Sequence, residues 1–321
     1  MADFVYLLNL DDLNLLFLTI KALSMKKLLS IAMLCLILSA CQKTQESIPT
    51  PPVEDEAAVD PPSLPPANAR SVTVTTEAAL KSAVAAAVAG DIITISGTIN
   101  LTSTLQLLAS GTSSSKINLT GGVLNCSGVS SGWGVKCNGS YWNITNMTIK
   151  NGPDCGLVFQ TGGYNYVYNV TTSGNHDSGL QVYNGSHHNN ISYCKSNDNY
   201  DTQNGGENAD GFACKLSAGS GNKFDHCTAN HNSDDGWDLY GQPYTVTITN
   251  CNATNNGYGT NGDGNGFKLG SAGQNVPHTV TNCTSSNNKA SGYDGNGNTG
   301  HITITGSGGT GNGGTLFYRI Y

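Results

Sequence analysis

Arginine is almost missing from this chain of 321 residues, because Arg70 and Arg319 are the two in the whole sequence. Charged residues of all kinds make up only 12% of the chain, and the net charge at pH 7 is −7. Nucleic-acid-binding proteins concentrate lysine and arginine on one face to meet the phosphates. We therefore expect no nucleic-acid partner.

The chain also lacks a typical membrane-spanning segment near its start, where the apolar run over residues 28–38 is too short to cross a bilayer. Lys26 and Lys27 precede this run, and Leu38-Ser39-Ala40-Cys41 ends it as a lipobox. The pattern predicts a lipoprotein signal peptide over residues 25–41, with lipid attached to Cys41. The alternative is an uncleaved membrane anchor. In the first reading, the protein is exported to the outer membrane or the cell surface, and only the lipid touches the membrane.

Two flanking segments show no repeat pattern. Residues 1–24 precede a good start at Met25, so we interpret them as an over-extended gene start. Residues 42–70 are rich in proline, alanine and acidic residues without periodicity, which predicts a disordered tether. The folded domain is therefore predicted over residues 71–321.

Glycine is abundant, at 40 residues, whereas aromatic residues make up 7% of the chain. This composition is typical of many short strands joined by tight turns. The alternation over Ser71–Thr75 predicts a strand. An alanine-rich stretch from Ala78 to Ala89 follows, with Thr76 as N-cap and Gly90 as C-cap. It predicts a short helix that caps one end of a repeat structure.

A repeat extends through the second half of the chain. Its apolar anchor residues are separated by 23, 24, 33, 24 and 32 residues. The short steps match one coil of a parallel β-helix, and the long steps carry insertions. We predict an all-β, right-handed parallel β-helix, with asparagines before the anchors forming a ladder at a turn. The anchors are Met147, Val170, Cys194, Cys227, Cys251 and Cys283.

The cysteines among these anchors allow two interpretations. Coils stack about 4.8 Å apart, whereas the Cβ atoms of a disulfide lie about 3.8 Å apart. We favour buried free thiols that behave as small apolar side chains, over bridges between coils. Cys126 and Cys137 are better candidates for a disulfide.

A column of glycines marks the start of one strand in each coil. The apolar residue after each glycine is expected to point inward, so the next residue points outward, because strand side chains alternate. Long insertions before two of these glycines, Gly211 and Gly266, could wall a cleft. We call the outward residues the site column: Gln181, Ala213, Asp238, Lys268 and Asp294.

Aspartates gather beside this glycine column. Asp210 and Asp235 each precede a glycine of the column, Asp234 adjoins Asp235, and Asp238 projects from the same strand. Four converging carboxylates repel one another, and a hard cation with oxygen ligands, Ca²⁺ above all, relieves that repulsion. Lys268 lies one coil beyond Asp238. The alternative is that these are ordinary turn residues and a surface ion pair.

The segments that carry these residues resemble the polysaccharide lyase family 9 pectate lyases. They are Asn208–Leu216, Asn232–Tyr240 and Asn265–Gly270. The resemblance implies a right-handed β-helix, Ca²⁺ held by Asp210, Asp234, Asp235 and Asp238, and Lys268 as the catalytic base.

The implied reaction is β-elimination on a uronate polymer such as polygalacturonate. The base removes the proton at C5, α to the carboxylate, and Ca²⁺ stabilises the resulting negative charge. Many β-helix pectate lyases use an arginine base, and neither arginine here lies in the repeat core. Lys215 is predicted to point outward and to bind a substrate carboxylate, or else to be a surface lysine.

Other functions remain open at this point. A β-helical polygalacturonase would use aspartates, but the chain lacks its Gly-His-Gly motif. A lyase on another uronate polymer and a non-catalytic, calcium-stabilised polysaccharide-binding β-helix are further alternatives. We expect a monomer in each case.

Overall fold

The computed structural model describes residues 69–321, which form a right-handed parallel β-helix with one short helix, as predicted. The proposed gene start at 1–24, the signal peptide at 25–41 with Cys41, and the tether up to residue 68 lie outside the described residues. Within residues 69–321, no helix has the length and apolar character needed to cross a membrane.

The helix α1 spans Glu77–Ala85 and follows the first strand. The strands are, in chain order, β1 (Ser71–Val74), β2 (Ile92–Ile95), β3 (Thr98–Asn100), β4 (Leu105–Leu107), β5 (Ile117–Thr120), β6 (Val123–Asn125), β7 (Val135–Cys137), β8 (Trp142–Lys150), β9 (Leu157–Gln160), β10 (Tyr166–Ser173), β11 (Leu180–Tyr183), β12 (Asn190–Ser192), β13 (Lys195–Asn197), β14 (Phe212–Cys214), β15 (Lys223–Asp225), β16 (Thr228–Asn230), β17 (Trp237–Asp238), β18 (Thr247–Thr249), β19 (Asn252–Thr254), β20 (Phe267–Lys268), β21 (Thr279–Thr281), β22 (Thr284–Ser286), β23 (Tyr293–Asp294), β24 (Thr303–Thr305) and β25 (Phe317–Tyr318).

The described strands form two sheets in which each strand pairs in parallel with its equivalent in the next coil. Sheet one has 16 strands, and its main path of ten strands runs from β1 to β24. A second strip of sheet one runs through β13, β16, β19 and β22. Sheet two has nine strands in the order β25-β23-β20-β17-β14-β11-β9-β7-β4. Sheet two carries the site column.

The interior of sheet two is a stack of rings. The residue after each glycine of the column points inward, so the rings of Phe212, Trp237 and Phe267 stack with centroids 4.8 Å apart at each step. Such aromatic pairs stabilise by about 0.5–1.5 kcal/mol beyond the area they bury. The stack therefore fixes the register that places the outward side chains.

The capping helix begins as predicted but ends earlier. The Thr76 hydroxyl accepts a hydrogen bond from Ala79 N at 3.3 Å, which confirms the N-cap. The helix ends at Ala85 and not near Gly90, because Arg70 donates to Ala86 O at 2.7 Å while the Asp91 carboxylate accepts from Val88 N at 3.1 Å. Arg70, which we assigned to the tether, thus belongs to the folded domain.

The turn before each anchor has the expected conformation. Asn146 and Asn169 have φ of 54° and 53°, and the Asn169 amide donates to Asn146 Oδ1 at 2.9 Å. A longer ladder, which we did not predict, lies five residues after the anchors and is mostly buried. Each of its side-chain amides donates to the next at 2.7–2.9 Å. This asparagine ladder consists of Asn175, Asn199, Asn232, Asn256, Asn288 and Asn312.

All eight cysteines in the described part of the chain are free and buried. The thiol column is therefore confirmed, and backbone N–H groups of Cys227 and Cys251 lie 3.3 and 3.4 Å from the sulfur of the next coil. Cys126 and Cys137, which we named as the better candidates for a disulfide, are also free, so that suggestion is wrong. Each of these thiols faces a carbonyl near its own residue, Leu124 O for Cys126 and Gly139 O for Cys137. Cys126 directly follows β6 of sheet one, whereas Cys137 ends β7 of sheet two.

Candidate functional site

The register of sheet two brings the site column together as predicted. Gln181 pairs with Ala213, Ala213 with Asp238, and Asp238 with Lys268, each on the neighbouring coil. The glycine before each strand allows this close approach. A Cβ on Gly236 would lie 2.5 Å from Gly266 O and 2.8 Å from Ala253 Cβ, so any larger residue would push the coils apart.

The four aspartates form a buried group beside this column, which we call the carboxylate cluster. Asp210, Asp234 and Asp235 each offer an oxygen within 4.8 Å of the others. Asp238 lies outside that trio and lines a cleft together with Asp234. None of the four is more than 4% exposed.

Asp210 and Asp235 occupy the same position on neighbouring coils. The backbone N–H of Asp235 donates to Asp210 Oδ1 at 3.3 Å, and Gly211 N donates to Asp235 O at 2.9 Å. The equivalent residue on the next coil is Asn265, whose backbone N–H donates to Asp235 Oδ1 at 2.6 Å. Asn265 was missed in the sequence, although its place before Gly266 in the glycine column marks it.

Asp234 is held by the two long insertions. Its Oδ2 accepts from Asn208 N at 3.0 Å and its Oδ1 from Asp263 N at 2.6 Å. The insertions also contact each other, because Asn261 N donates to Gly205 O at 3.1 Å. They therefore meet over this coil and contribute to the walls of the cleft, whose volume is about 560 Å³. The residues that line the cleft include Asn208, Lys215, Asp234, Asp238, Asp263 and Lys268.

Two lysines contact the carboxylate cluster. Lys268 Nζ lies 3.3 Å from Asp235 Oδ2 and 2.8 Å from Asp263 Oδ2. Lys215 Nζ lies 2.8 Å from Asp210 Oδ2 and 3.1 Å from Asp238 Oδ2, and the residue is only 8% exposed. Lys215 is therefore not the free surface lysine of the alternative reading.

The cluster shifts the acidity of its members in different directions. Burial raises the pKa of Asp210 and of Asp235 well above that of an ordinary aspartate, and neighbouring carboxylates add to the shift. Burial also favours the neutral form of Asp238, but the charges of Lys215 and Lys268 outweigh it and lower its pKa. Burial favours the neutral amine of Lys268, yet the charges of Asp235 and Asp238 dominate and raise its pKa.

The arrangement has the features of a site for a hard divalent cation. Asp235 Oδ2 is buried and has no hydrogen-bond partner among the described residues. The clustered ligand atoms are all carboxylate oxygens, which Ca²⁺ prefers. The nearest described cation to this oxygen is Lys268 Nζ, at 3.3 Å, which forms an ion pair with it but no hydrogen bond. A buried carboxylate oxygen without a hydrogen bond is costly, and a bound cation would offset that cost. The residues present therefore fit Ca²⁺.

The chain is similar to curated pectate lyases from bacteria. It is 41% identical to pectate lyase L of Paenibacillus polymyxa (strain SC2) over 194 residues, which is 54% of this chain and 42% of that protein. It is 40% identical to pectate lyase L of Thermoclostridium stercorarium over 193 residues, which is 54% of this chain and 15% of that protein. The chain thus spans less than half the length of these relatives.

The fold and a defined family agree with this similarity. The crystal structure of pectate lyase Pel9A superimposes with a TM-score of 0.65 at 30% identity, over 70% of this chain and 61% of that one. The family described as "Pel9A-like, right handed beta helix region" matches residues 66–320. The chain therefore belongs to the Pel9A-like right-handed β-helix family, which confirms its resemblance to polysaccharide lyase family 9.

Proposed function

We propose that this protein is a calcium-dependent pectate lyase that cleaves polygalacturonate by β-elimination, with Lys268 as the general base. One observation carries the proposal. The amine of Lys268, which lines the cleft with Asp234 and Asp238, lies 3.3 Å from the buried Asp235 Oδ2, which has no hydrogen-bond partner among the described residues. The similarity to curated pectate lyases supports the substrate class.

The carboxylate cluster would hold the cation. Asp210, Asp234 and Asp235 offer oxygens that already lie within 4.8 Å of one another, and Asp238, which lines the cleft with Asp234, would supply a further one. Bound Ca²⁺ would withdraw charge from the substrate carboxylate and make the neighbouring C5 proton more acidic. Asn208 and Asp263 keep Asp234 oriented through their backbone N–H groups.

Lys268 would perform the proton abstraction. Its neutral amine takes the C5 proton, the electron pair forms the C4–C5 double bond, and the bond from C4 to the glycosidic oxygen breaks. Water supplies the proton to the leaving oxygen. A positioned general base of this kind contributes about 10²- to 10⁴-fold to the rate.

The pKa of Lys268 sets the expected pH dependence. Because the carboxylates raise that pKa, the amine is protonated at neutral pH and cannot act as a base. The neutral fraction grows as pH rises, so activity should increase toward alkaline pH. Cation binding neutralises the same carboxylates and thereby favours the neutral amine.

Lys215 would bind a substrate carboxylate. It lines the cleft between Asp210 and Asp238, where its charge offsets part of the negative charge that a polyuronate would meet. This role is separate from proton abstraction, so its loss should raise KM more than it lowers kcat.

The product identifies the reaction. The purified protein is incubated with polygalacturonate at alkaline pH, with Ca²⁺ or with a chelator, and ultraviolet absorbance of the unsaturated product is followed. A rise that the chelator abolishes is expected. New reducing ends without absorbance would indicate hydrolysis instead. Absorbance with another uronate polymer alone would change the substrate, and binding without either product would indicate a non-catalytic β-helix.

We also propose that the protein is an exported monomeric lipoprotein with its lipid on Cys41. The lipobox and the positive residues before it support this proposal. Expression in a bacterium with labelled fatty acid tests it, because Cys41→Ala should abolish labelling and release the protein from the membrane fraction. A label retained by the variant would contradict the lipid anchor.

A further inference from the structure

Sheet two continues beyond the cleft toward the capping helix, and a lysine stands in the same outward column there. Lys136 pairs with Val158, and Val158 pairs with Gln181, which lines the cleft. Lys136 is thus five strands from Lys268 along one column, or about 24 Å at the usual strand spacing.

Lys136 keeps its charge unpaired. Its Nζ lies 4.5 Å from the centroid of the Trp133 ring, and it has no carboxylate within 4.0 Å among residues 69–321. A cation held over an aromatic face is positioned without being neutralised. Both residues are half-buried, so the pair is ordered and still reachable from solvent.

The other basic residues of this sheet differ from Lys136. Lys215 and Lys268 are paired with the carboxylate cluster, and Arg319, at the opposite end of the column, is paired with Asp294 through two hydrogen bonds. Among the described residues in or directly after the strands of sheet two, Lys136 is therefore the one cation without a carboxylate partner.

Neighbouring residues cover the outward positions between Lys136 and the cleft. Val158 and Ala213 are fully buried and Gln181 is 8% exposed. A linear polymer that follows this column would therefore lie on the residues that cover these three positions, and it would bring one of its charged groups to Lys136.

We propose that Lys136, positioned by Trp133, forms a distal subsite that binds a carboxylate of the uronate polymer at a distance from the bond that is cleaved. This inference rests on the proposed function for the identity of the polymer. It adds that substrate extends from the cleft toward the N-terminal coils and that long chains bind better than short ones.

Kinetics on two substrate lengths test the subsite. The full chain, Lys136→Ala and the matched control Lys195→Ala, which removes a lysine from sheet one, are compared on polygalacturonate and on trigalacturonate. A trisaccharide is too short to span about 24 Å from Lys268. We expect Lys136→Ala to raise KM for the polymer about three- to fivefold, the size of one exposed ion pair, with kcat unchanged and no effect on the trimer.

Trp133→Ala should raise KM for the polymer as Lys136→Ala does, because the amine loses the ring that positions it. Trp133→Phe keeps an aromatic ring and should leave KM close to the wild-type value. An unchanged KM for the polymer, an equal change for the trimer, or an equal change in the Lys195→Ala control would overturn the subsite. If no variant shows turnover, polymer affinity is measured by calorimetry. Binding that depends on Lys136 would then keep the subsite and reject the lyase, and binding that does not depend on it would reject the subsite.

Discussion

Two columns of buried polar residues run side by side along this β-helix, and they differ in how their buried side chains are hydrogen-bonded. The asparagine ladder passes through Asn232 and Asn256, and each amide donates to the oxygen of the next. Three residues further along the coil of Asn232, Asp235 stacks on Asp210 in a second column, where the backbone N–H of Asp235 donates back to Asp210 Oδ1. The first column satisfies itself, and the second leaves Asp235 Oδ2 without a hydrogen-bond donor.

The difference follows from the chemistry of the two side chains. An amide carries both donors and acceptors, so identical copies can pair from coil to coil, whereas an ionised carboxylate only accepts. A stack of carboxylates therefore needs a cation from elsewhere. Lys215 and Lys268 supply part of that charge, and the proposed Ca²⁺ would supply the rest.

Removal of Lys268 should have the largest effect. Lys268→Ala is expected to lower kcat on polygalacturonate about 10²- to 10⁴-fold, because the general base is lost while the cleft and the carboxylates remain. Circular dichroism and the melting temperature check that the fold is intact, with Lys195→Ala as a control of equal charge change. A variant that keeps near-normal kcat would exclude Lys268 as the base.

A carboxylate placed in the asparagine ladder should show how much stability is lost when a buried carboxylate has no cation to neutralise it. Asn256→Asp replaces an amide that donates to Asn288 Oδ1 at 2.9 Å with a group that can only accept. We expect a loss of about 3–5 kcal/mol in the free energy of unfolding at neutral pH, as for an uncompensated buried charge.

Denaturant unfolding measures this loss, and the adjacent exposed Asn255→Asp is the matched control. Burial should raise the pKa of the new carboxyl, and its protonated form can donate, so the loss should shrink as pH falls. An equal effect of the two substitutions would show that the ladder does not depend on its amide donors.

The comparison also explains what could be predicted from the sequence. The carboxylate cluster and Lys268 were found because the spacing of anchors and glycines fixes the register, and alternation then decides which side chains face outward. Asp263 was missed as the partner of Lys268 because it lies on an insertion without periodicity. The helix end was misplaced because it depends on side-chain contacts of Arg70, 16 residues before Ala86, and of Asp91, which no helix-capping pattern marks.

The asparagine ladder is a different kind of omission. Its members recur five residues after the anchors, so the signal was present in the sequence. We assigned the ladder to the turn before the anchors, where left-handed conformation is needed, and that turn carries a single described pair, Asn146 and Asn169. The turn before the anchors uses asparagine for its left-handed conformation, whereas the ladder uses asparagine for its amide hydrogen bonds. The two requirements therefore place asparagine at different positions in the coil.

His278 is a further buried polar residue, and its contribution to the stability of the fold should be smaller than the loss expected for Asn256→Asp. Burial lowers its pKa to about 4, and its Nε2 has no hydrogen-bond partner among the described residues. The folded state therefore resists protonation, so stability present above pH 6.5 should fall as pH drops toward 4, by about 3 kcal/mol.

The raised pKa values of Asp210 and Asp235 act in the opposite sense, because the folded state takes up those protons more readily. Denaturant unfolding from pH 7 to pH 4 in wild type and His278→Asn separates the two contributions. The variant should lose less stability over this range. Parallel pH profiles would contradict the assignment to His278.

The thiol column should show the smallest effect. All eight described cysteines are free and buried, so a reducing agent should leave the melting temperature of the protein unchanged. Differential scanning calorimetry with and without reductant measures this. A clear fall in the melting temperature would indicate a disulfide in the folded protein.

Calorimetric titration with Ca²⁺ tests most directly whether the carboxylate column requires a cation. The protein is first treated with chelator and dialysed, and wild type is compared with Asp235→Asn and with the surface control Asp198→Asn. We expect saturable binding in wild type and in the control, and loss of that binding in Asp235→Asn, because one negative charge and one carboxylate oxygen of the cluster are removed. No binding in wild type, or equal binding in all three proteins, would contradict the calcium site.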